Sequence, residues 1–380
     1  MQEMLAHPSV VPQHRRARLQ AVCRRGAILA ACVGTLILAG ARHPGAQSVP
    51  PAIERVLTGD FGFTSSEIVA VGRGAAVARS LEMHDDREVS AVGAVRVAVP
   101  PPFYVERMMD IVRFKRHEAV LQIGVFGEAP LAADLSRLTL DRDDLDRLRD
   151  CGPDRCDINL SPEALARVRA GVDWGTAAGQ ARATQQFRQV LADLVREYRA
   201  RGDAALMTYR HGPRSVSVAA EFKALVTSPP ILLGRFPPLH EHITRFPAGT
   251  TAGVQDVIYW SKEKVGPRTV TSVTHIALVR LPPGPTPAVY AGASRQLYGT
   301  QLYEASLGLT LLLQDPGNAN QVYLVYANRS RVDAIGGFFG VIKRGVVRSR
   351  ARAAVPGTLD RARQNAERRY AELAGSNSAR

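Results

Sequence analysis

Ala94-Val95-Arg96-Val97-Ala98-Val99-Pro100-Pro101-Pro102-Phe103-Tyr104-Val105-Glu106-Arg107-Met108-Met109-Asp110 carries a strand, a proline turn and the start of a helix. Val95, Val97 and Val99 fall on one face of an extended segment and Val92, Ala94 and Arg96 on the other, as a two-residue period requires. Proline cannot donate to a ladder, so the three prolines end the strand, and proline also suits a first helical turn. Phe103, Val105, Met108, Met109, Ile111, Val112 and Phe114 then recur at helical spacing.

Upstream, Glu88 opens that strand and Ala75–Glu82 reads as another. Thr64-Ser65-Ser66-Glu67 has capping-box spacing and predicts a short helix ending near Gly72–Gly74. Residues 47–62 contain Pro, Gly and Ser and read as a linker. Downstream, His117–Phe126 returns to strand. From 128 to 250 the texture is charged and helical: Leu138–Arg149, a helix begun by Ser161-Pro162-Glu163, Glu221–Val226 and Ile231–Ile243. The clearest helix spans 180–200, where Phe187, Val190, Leu191, Leu194, Val195 and Tyr198 form one apolar stripe.

After Pro247-Ala248-Gly249 the strand pattern resumes. Val254–Lys264, Thr269–Leu281, Ala288–Tyr298, Leu302–Leu313 and Gln321–Asn328 are separated by Gly, Pro and Asn breaks, as in an antiparallel meander. A last helix is expected from about Val332 to Leu373, with Pro356 inside it and a disordered tail over 374–380. The fold class is α+β: an antiparallel sheet, a long C-terminal helix and an inserted helical subdomain.

Arg24 and Arg25 lead into the apolar run Ala27–Gly40, and small residues follow to Gln47. A basic flank, a short apolar run and a small-residue exit have the form of a secretory signal peptide over 1–46, with cleavage after Ala41 or Ala46. The run is shorter than the roughly 20 residues a spanning helix needs. The expected location is therefore periplasmic or secreted, which argues against nucleotide-driven cytosolic chemistry.

The chain has 49 basic and 35 acidic residues, a net charge of +14. Setting 1–46 aside removes six arginines and one glutamate and leaves +9. That charge is spread along the chain rather than gathered on a face with stacking aromatics, so nucleic acid is not an expected partner. Of four cysteines, Cys23 and Cys32 belong to the leader. Cys151 and Cys156 close a short Gly-Pro turn and read as a disulfide in an oxidising compartment. Such a loop would pin a local turn rather than hold a domain together.

Catalytic signatures are weak. Glu304-Ala305-Ser306-Leu307-Gly308 lacks the first glycine of a nucleophile elbow and lies in a strand-like run. Gly72-Arg73-Gly74 lacks the third glycine of a dinucleotide site. Asp141-Arg142-Asp143-Asp144 lacks the glycine and closing glutamate of a calcium loop. His240-Glu241-His242 is a close histidine pair, but the sequence nominates no third ligand, so no metal is assigned. His275 stands alone in a strand, as a structural residue or an acid/base group. Trp260 beside Tyr259 fits either a cavity mouth or a packed core, and the tyrosines of the meander fit either as well.

The order strand, proline turn, helix, strands, meander, long C-terminal helix resembles the START-like, or helix-grip, superfamily of ligand-binding domains and polyketide cyclases. Residues 94–110 resemble its opening strand, proline turn and first helix. Val322-Tyr323-Leu324-Val325-Tyr326 with the helix that follows resembles its last strand and gripping helix. The resemblance covers roughly 75–126 and 254–373, with 63–127 and 251–373 as the core and 128–250 as an insertion that departs from the family pattern. It implies a curved sheet clasping the last helix around an apolar cavity for a lipid or other hydrophobic small molecule, with no cofactor. Trp260, His275, Tyr298, Tyr303 and Tyr326 are the candidate ligand-binding residues. Phe338, Phe339, Lys343, Arg344 and Arg348 form a basic amphipathic start to the last helix that fits an anionic membrane surface. The same stretch also fits a docked helix with an arginine-rich face in water. A carrier is the leading expectation. A cyclase or hydrolase using His275 or Glu304, and a non-catalytic envelope interaction protein, are the alternatives.

Overall fold

The computed structural model of the chain describes residues 48–83, 85–152, 156–211, 214–228, 233–266, 268–332 and 340–378. The expected leader lies outside them. The first element corrects the sequence reading, because 47–62 is not a linker. Helix α1 spans Pro51–Phe61 and buries Ile53, Val56, Leu57 and Phe61 along one face. The prolines and glycine that suggested a linker are the helix's own start and stop signals. Pro51 occupies the first turn, and Gly62 takes the left-handed conformation (φ 68°) that ends it. Helix α2, Ser65–Gly72, begins with the expected capping box: Thr64 N–H donates to Glu67 at 2.8 Å and Glu67 N–H to Thr64 Oγ1 at 3.3 Å.

Strands β1 (Val77–Ser80) and β2 (Glu88–Val97) follow, then α3 (Pro101–Met109), the single turn α4 (Ile111–Phe114) and β3 (Val120–Val125). The next segment holds α5 (Arg142–Asp150), α6 (Pro162–Arg169) and the long α7 (Ala177–Arg201). It continues with a small hairpin, β4 (Thr208–His211) and β5 (Arg214–Ser217), that the sequence reading missed, and ends with α8 (Val218–Thr227) and α9 (Pro237–Thr244). The meander is β6 (Val254–Val265), β7 (Arg268–Arg280), β8 (Ala288–Gly299), β9 (Tyr303–Gln314) and β10 (Val322–Val332). Helix α10, Gly340–Ser378, contains Pro356 and runs through most of the stretch expected to be a disordered tail. Among the described residues no helix is long and apolar enough to cross a membrane.

Eight strands form one antiparallel sheet in the order β1-β2-β10-β9-β8-β7-β6-β3. The two early strands β2 and β3 border opposite ends of the meander, and α3–α4 joins them. On one face Val95, Val97, Leu312 and Leu324 pack with Tyr104 and Met108 of α3 and with Val355, Leu359 and Ala366 of α10. Helix α10 comes close to β2 because position 93 is glycine. A Cβ there would lie 2.5 Å from Val355 Cγ1 and 2.7 Å from Leu359 Cδ1.

The other face is covered by α1, α2, α8 and α9. Ile53, Leu57, Phe222, Leu225 and Ile243 bury against Val92, Ala94, Ala277, Leu309 and Val325. Toward β6 the cover is α7, whose Phe187, Leu191 and Val195 meet Ile258, Trp260, Val273 and Leu297. The stripe expected on this helix is buried throughout. Residues 128–250 therefore cover much of this face, in two apolar clusters, the first shared with α1 and α2. Cys151 and Cys156 form a disulfide, with Cα atoms 4.2 Å apart.

Candidate functional site

Side chains on successive strand positions point to opposite faces, and this decides which meander residues can meet a ligand. Tyr259, Ile276, Thr310, Leu324 and Tyr326 share the α10 face, where they line a cavity of about 190 Å³. Its other walls are Tyr104, Met108 and Phe114 of α3–α4 and Leu359 and Ala362 of α10. The lining is mainly apolar. Lys115 is the cation among the described lining residues, and it is already engaged: its Nζ donates to Glu263 at 2.6 Å and to Tyr259 OH at 3.3 Å. Burial opposes its charge, but Tyr259 and Glu263 outweigh that and hold the ammonium pKa above its ordinary value. Burial also raises the Tyr104 and Tyr326 phenols, so both stay neutral.

Beyond the cavity the same face turns polar. Asn328 Nδ2 donates to Ser306 Oγ at 3.1 Å, and Ser330 Oγ donates to Asn328 Oδ1 and accepts from Ser306 Oγ, each at 2.9 Å. Tyr303 packs there with Val89 and Val332, against Val347 and Ala351 of α10. Of the five residues nominated for the ligand, Tyr326 lines the cavity and Tyr303 lies on its face outside it. Trp260, His275 and Tyr298 do not, because they point to the insertion side. Trp260 is 1% exposed; its indole N–H donates to Asp134 O at 3.0 Å and its ring lies against Gly124, where a Cβ would come within 2.7 Å. Tyr298 is buried edge-on to Phe187. Of the neighbours Tyr259 and Trp260, it is Tyr259 that lines the cavity. Sequence composition cannot separate such neighbours, since one residue of register exchanges the faces.

Of the nominated membrane contacts, Phe338 and Phe339 lie outside the described residues, and Lys343 and Arg344 fall in the first turns of α10. Arg348 is turned inward. Its guanidinium donates to the carbonyls of Glu88 (3.2 Å) and Asp85 (3.4 Å), tying α10 to the start of β2.

On the opposite face the chain assembles a cluster the sequence did not reveal. His242 of α9, Asp256 of β6 and His275 of β7 bring potential ligand atoms within 4.8 Å of one another. Asp256 accepts from His242 Nε2 at 2.8 and 3.0 Å and from His275 Nε2 at 2.7 Å. Tyr198 OH meets His275 Nδ1 at 3.0 Å, and the Thr251 backbone N–H donates to His242 Nδ1 at 3.1 Å. That last contact sets the chemistry. A backbone N–H can only donate, so His242 Nδ1 is an acceptor and Nε2 carries the proton. A metal-bound histidine needs the reverse: a lone pair at the metal and an N–H on the far nitrogen aimed at an acceptor. The residue set has the composition of a metal site, but its outer contacts do not fit one. It is a hydrogen-bonded carboxylate clasped by two imidazoles.

Electrostatics agree with that assignment. Burial would raise the Asp256 pKa, but hydrogen bonds from His242 and His275 overcome it and place the carboxyl well below its usual range. Burial lowers His275, partly offset by Asp256, so that ring stays neutral. Phe246 covers it, with ring centroids 4.7 Å apart. Arg295, fully buried behind, pairs with Asp203 at 2.6 Å and stacks on Phe222 at 3.9 Å. Glu304, the other acid/base nominee, is buried in ion pairs with Arg87 (2.9 Å) and Arg214. Neither nominee lines the cavity. No protein-family model, curated protein or solved structure matches this chain.

Proposed function

We propose that the protein is an exported carrier that holds a lipid-like hydrophobic molecule between its sheet and its last helix, in the manner of START-like domains. On this reading the sheet curves around α10, and the leader 1–46 directs the chain out of the cytosol. The observation that carries the reading is the 190 Å³ cavity bounded by α3–α4, α10 and the sheet. The strand order supports it, since β2 and β3 flank the meander and α3–α4 and α10 lie on one face. Helix packing on the other face leaves that side solid. An anionic membrane remains the proposed place of loading.

A cyclase or hydrolase at the same cavity would need an acid or base facing it, and both nominated groups are engaged elsewhere. The test is native mass spectrometry, with solvent extraction, of full-length protein recovered from the exported fraction. A stoichiometric hydrophobic molecule is the expected result. An empty protein that also takes up no hydrophobic probe would overturn the proposal.

A further inference from the structure

Beside the cavity mouth, α3–α4 and the C-terminal half of α10 enclose an open cleft of about 440 Å³. Five arginines line it, Arg107, Arg113, Arg116, Arg368 and Arg369, against two acids, Asp110 and Glu372. The acids are neutralised locally: Arg113 pairs with Asp110 at 3.2 Å and Arg369 with Glu372 at 2.9 Å. Among the described residues, Arg116 and Arg368 have no carboxylate partner. Arg368 donates to Asn365 Oδ1 at 2.7 Å, a neutral acceptor.

Cleft and cavity are adjoining. Phe114 forms a wall of both, and Ala362 of the cavity lies one helical turn from Ala366 of the cleft. We infer that the cargo is a single-chain anionic amphiphile, its tail in the cavity and its carboxylate or phosphate head on the arginine cleft. This rests on the carrier reading and narrows it. The size favours the single chain: 190 Å³ is below the roughly 300–1,000 Å³ of pockets that enclose whole drug-sized molecules, which suits one narrow tail better than a sterol or a two-chain lipid. The unpaired guanidinium forks select the anion, since their planar donors match carboxylate and phosphate oxygens.

Titration calorimetry of the full-length protein with decanoate, decyl phosphate and decanol tests this, each kept below its micellar range. Either anion, or both, should bind roughly ten-fold tighter than decanol, and the tighter anion identifies the head. The doubly charge-reversed Arg116→Glu/Arg368→Glu protein, altered only at exposed positions, should lose that preference through weaker anion binding and keep its decanol affinity. Ala362→Phe should remove all three by filling the cavity. Equal binding of all three ligands, unchanged by charge reversal, would overturn the anionic head while leaving a carrier. No binding of any of them to the unaltered protein would overturn the carrier at this cavity, and the inference with it.

Discussion

The two faces of the one sheet are built to different standards. The insertion side is filled: Trp260, Tyr298, Phe187 and Phe222 are buried to within 2% of full. The α10 side keeps a hollow, with half-buried Tyr326 and Ala362 on its walls. Residues 128–250, with α1 and α2, pack behind the strands and leave the α10 side with its hollow.

The sharpest way to break this contrast is to truncate one aromatic on each side. Trp260→Ala should destabilise the protein by about 3–5 kcal/mol, because a close-packed site loses its atoms and leaves a void. Tyr326→Phe should change stability by less than about 1 kcal/mol, losing one long contact to Asn328 at 3.4 Å. Urea unfolding measures both, and equal losses would mean that the faces are alike.

Next in size is Asp256→Asn. The amide oxygen can keep both Oδ1 contacts, but it carries no charge, and the NH2 in the place of Oδ2 turns the second His242 contact at 3.0 Å into one donor facing another. The expected cost is about 1–3 kcal/mol, read as a lower denaturation midpoint. Full loading of Asp256→Ala or the unaltered chain with zinc, by metal analysis after purification, would contradict the tautomer assigned to His242.

The same cluster gives a pH dependence. His275 titrates below its ordinary 6.5 when folded. Between those two values the unfolded chain binds a proton that the folded chain does not, so stability falls as pH drops below about 6.5. Asp256, also depressed, adds a further loss only below its unfolded value of about 4. Melting temperature should therefore decline from pH 7 to 5, and His275→Gln should flatten that decline. A curve of unchanged slope in the variant would show that the buried ring is not its source.

The smallest effect contrasts two additions of bulk. Gly124→Ala pushes a methyl into the Trp260 ring and should cost about 1–3 kcal/mol. Ala362→Phe adds far more atoms, yet should cost less than about 1 kcal/mol, because the hollow accepts them. Thermal denaturation of the pair decides it, and a larger loss for the second would mean the space is not there.

Much of this architecture was legible. The meander strands were set by alternation and Gly/Pro/Asn breaks, α7 by its stripe, and α2 by Thr64 and Glu67, since each signal is local in the chain. Helix α1 was misread because Pro51 and Gly62 mark helix ends as readily as linkers. The site was legible only in part. Tyr259 and Trp260 differ by a register that the pairing of β6 with β3 and β7 decides, and neighbouring residues cannot report it. The His242–Asp256–His275 cluster joins positions from three elements, so its third member had no sequence signal near the histidine pair. The two features that could have helped were Asp256 near the start of β6, on the same sheet face as His275 and diagonal to it across one hairpin, and the depth of α9 signalled by Leu239 and Ile243.

The pairing of β2 with β10 has a consequence for how the chain comes together. Ser90 and the Asn328 carbonyl it bonds are 238 residues apart, so the strand made near the beginning waits for nearly the last one. Contacts of such long range slow folding, because a large loop must close before any stabilisation is returned. Until β10 arrives, β2 presents an unpaired apolar edge, which is an aggregation hazard. Completion of this sheet therefore waits for β10, and a holding chaperone that masks β2 should raise the yield of native protein more than one acting on the meander.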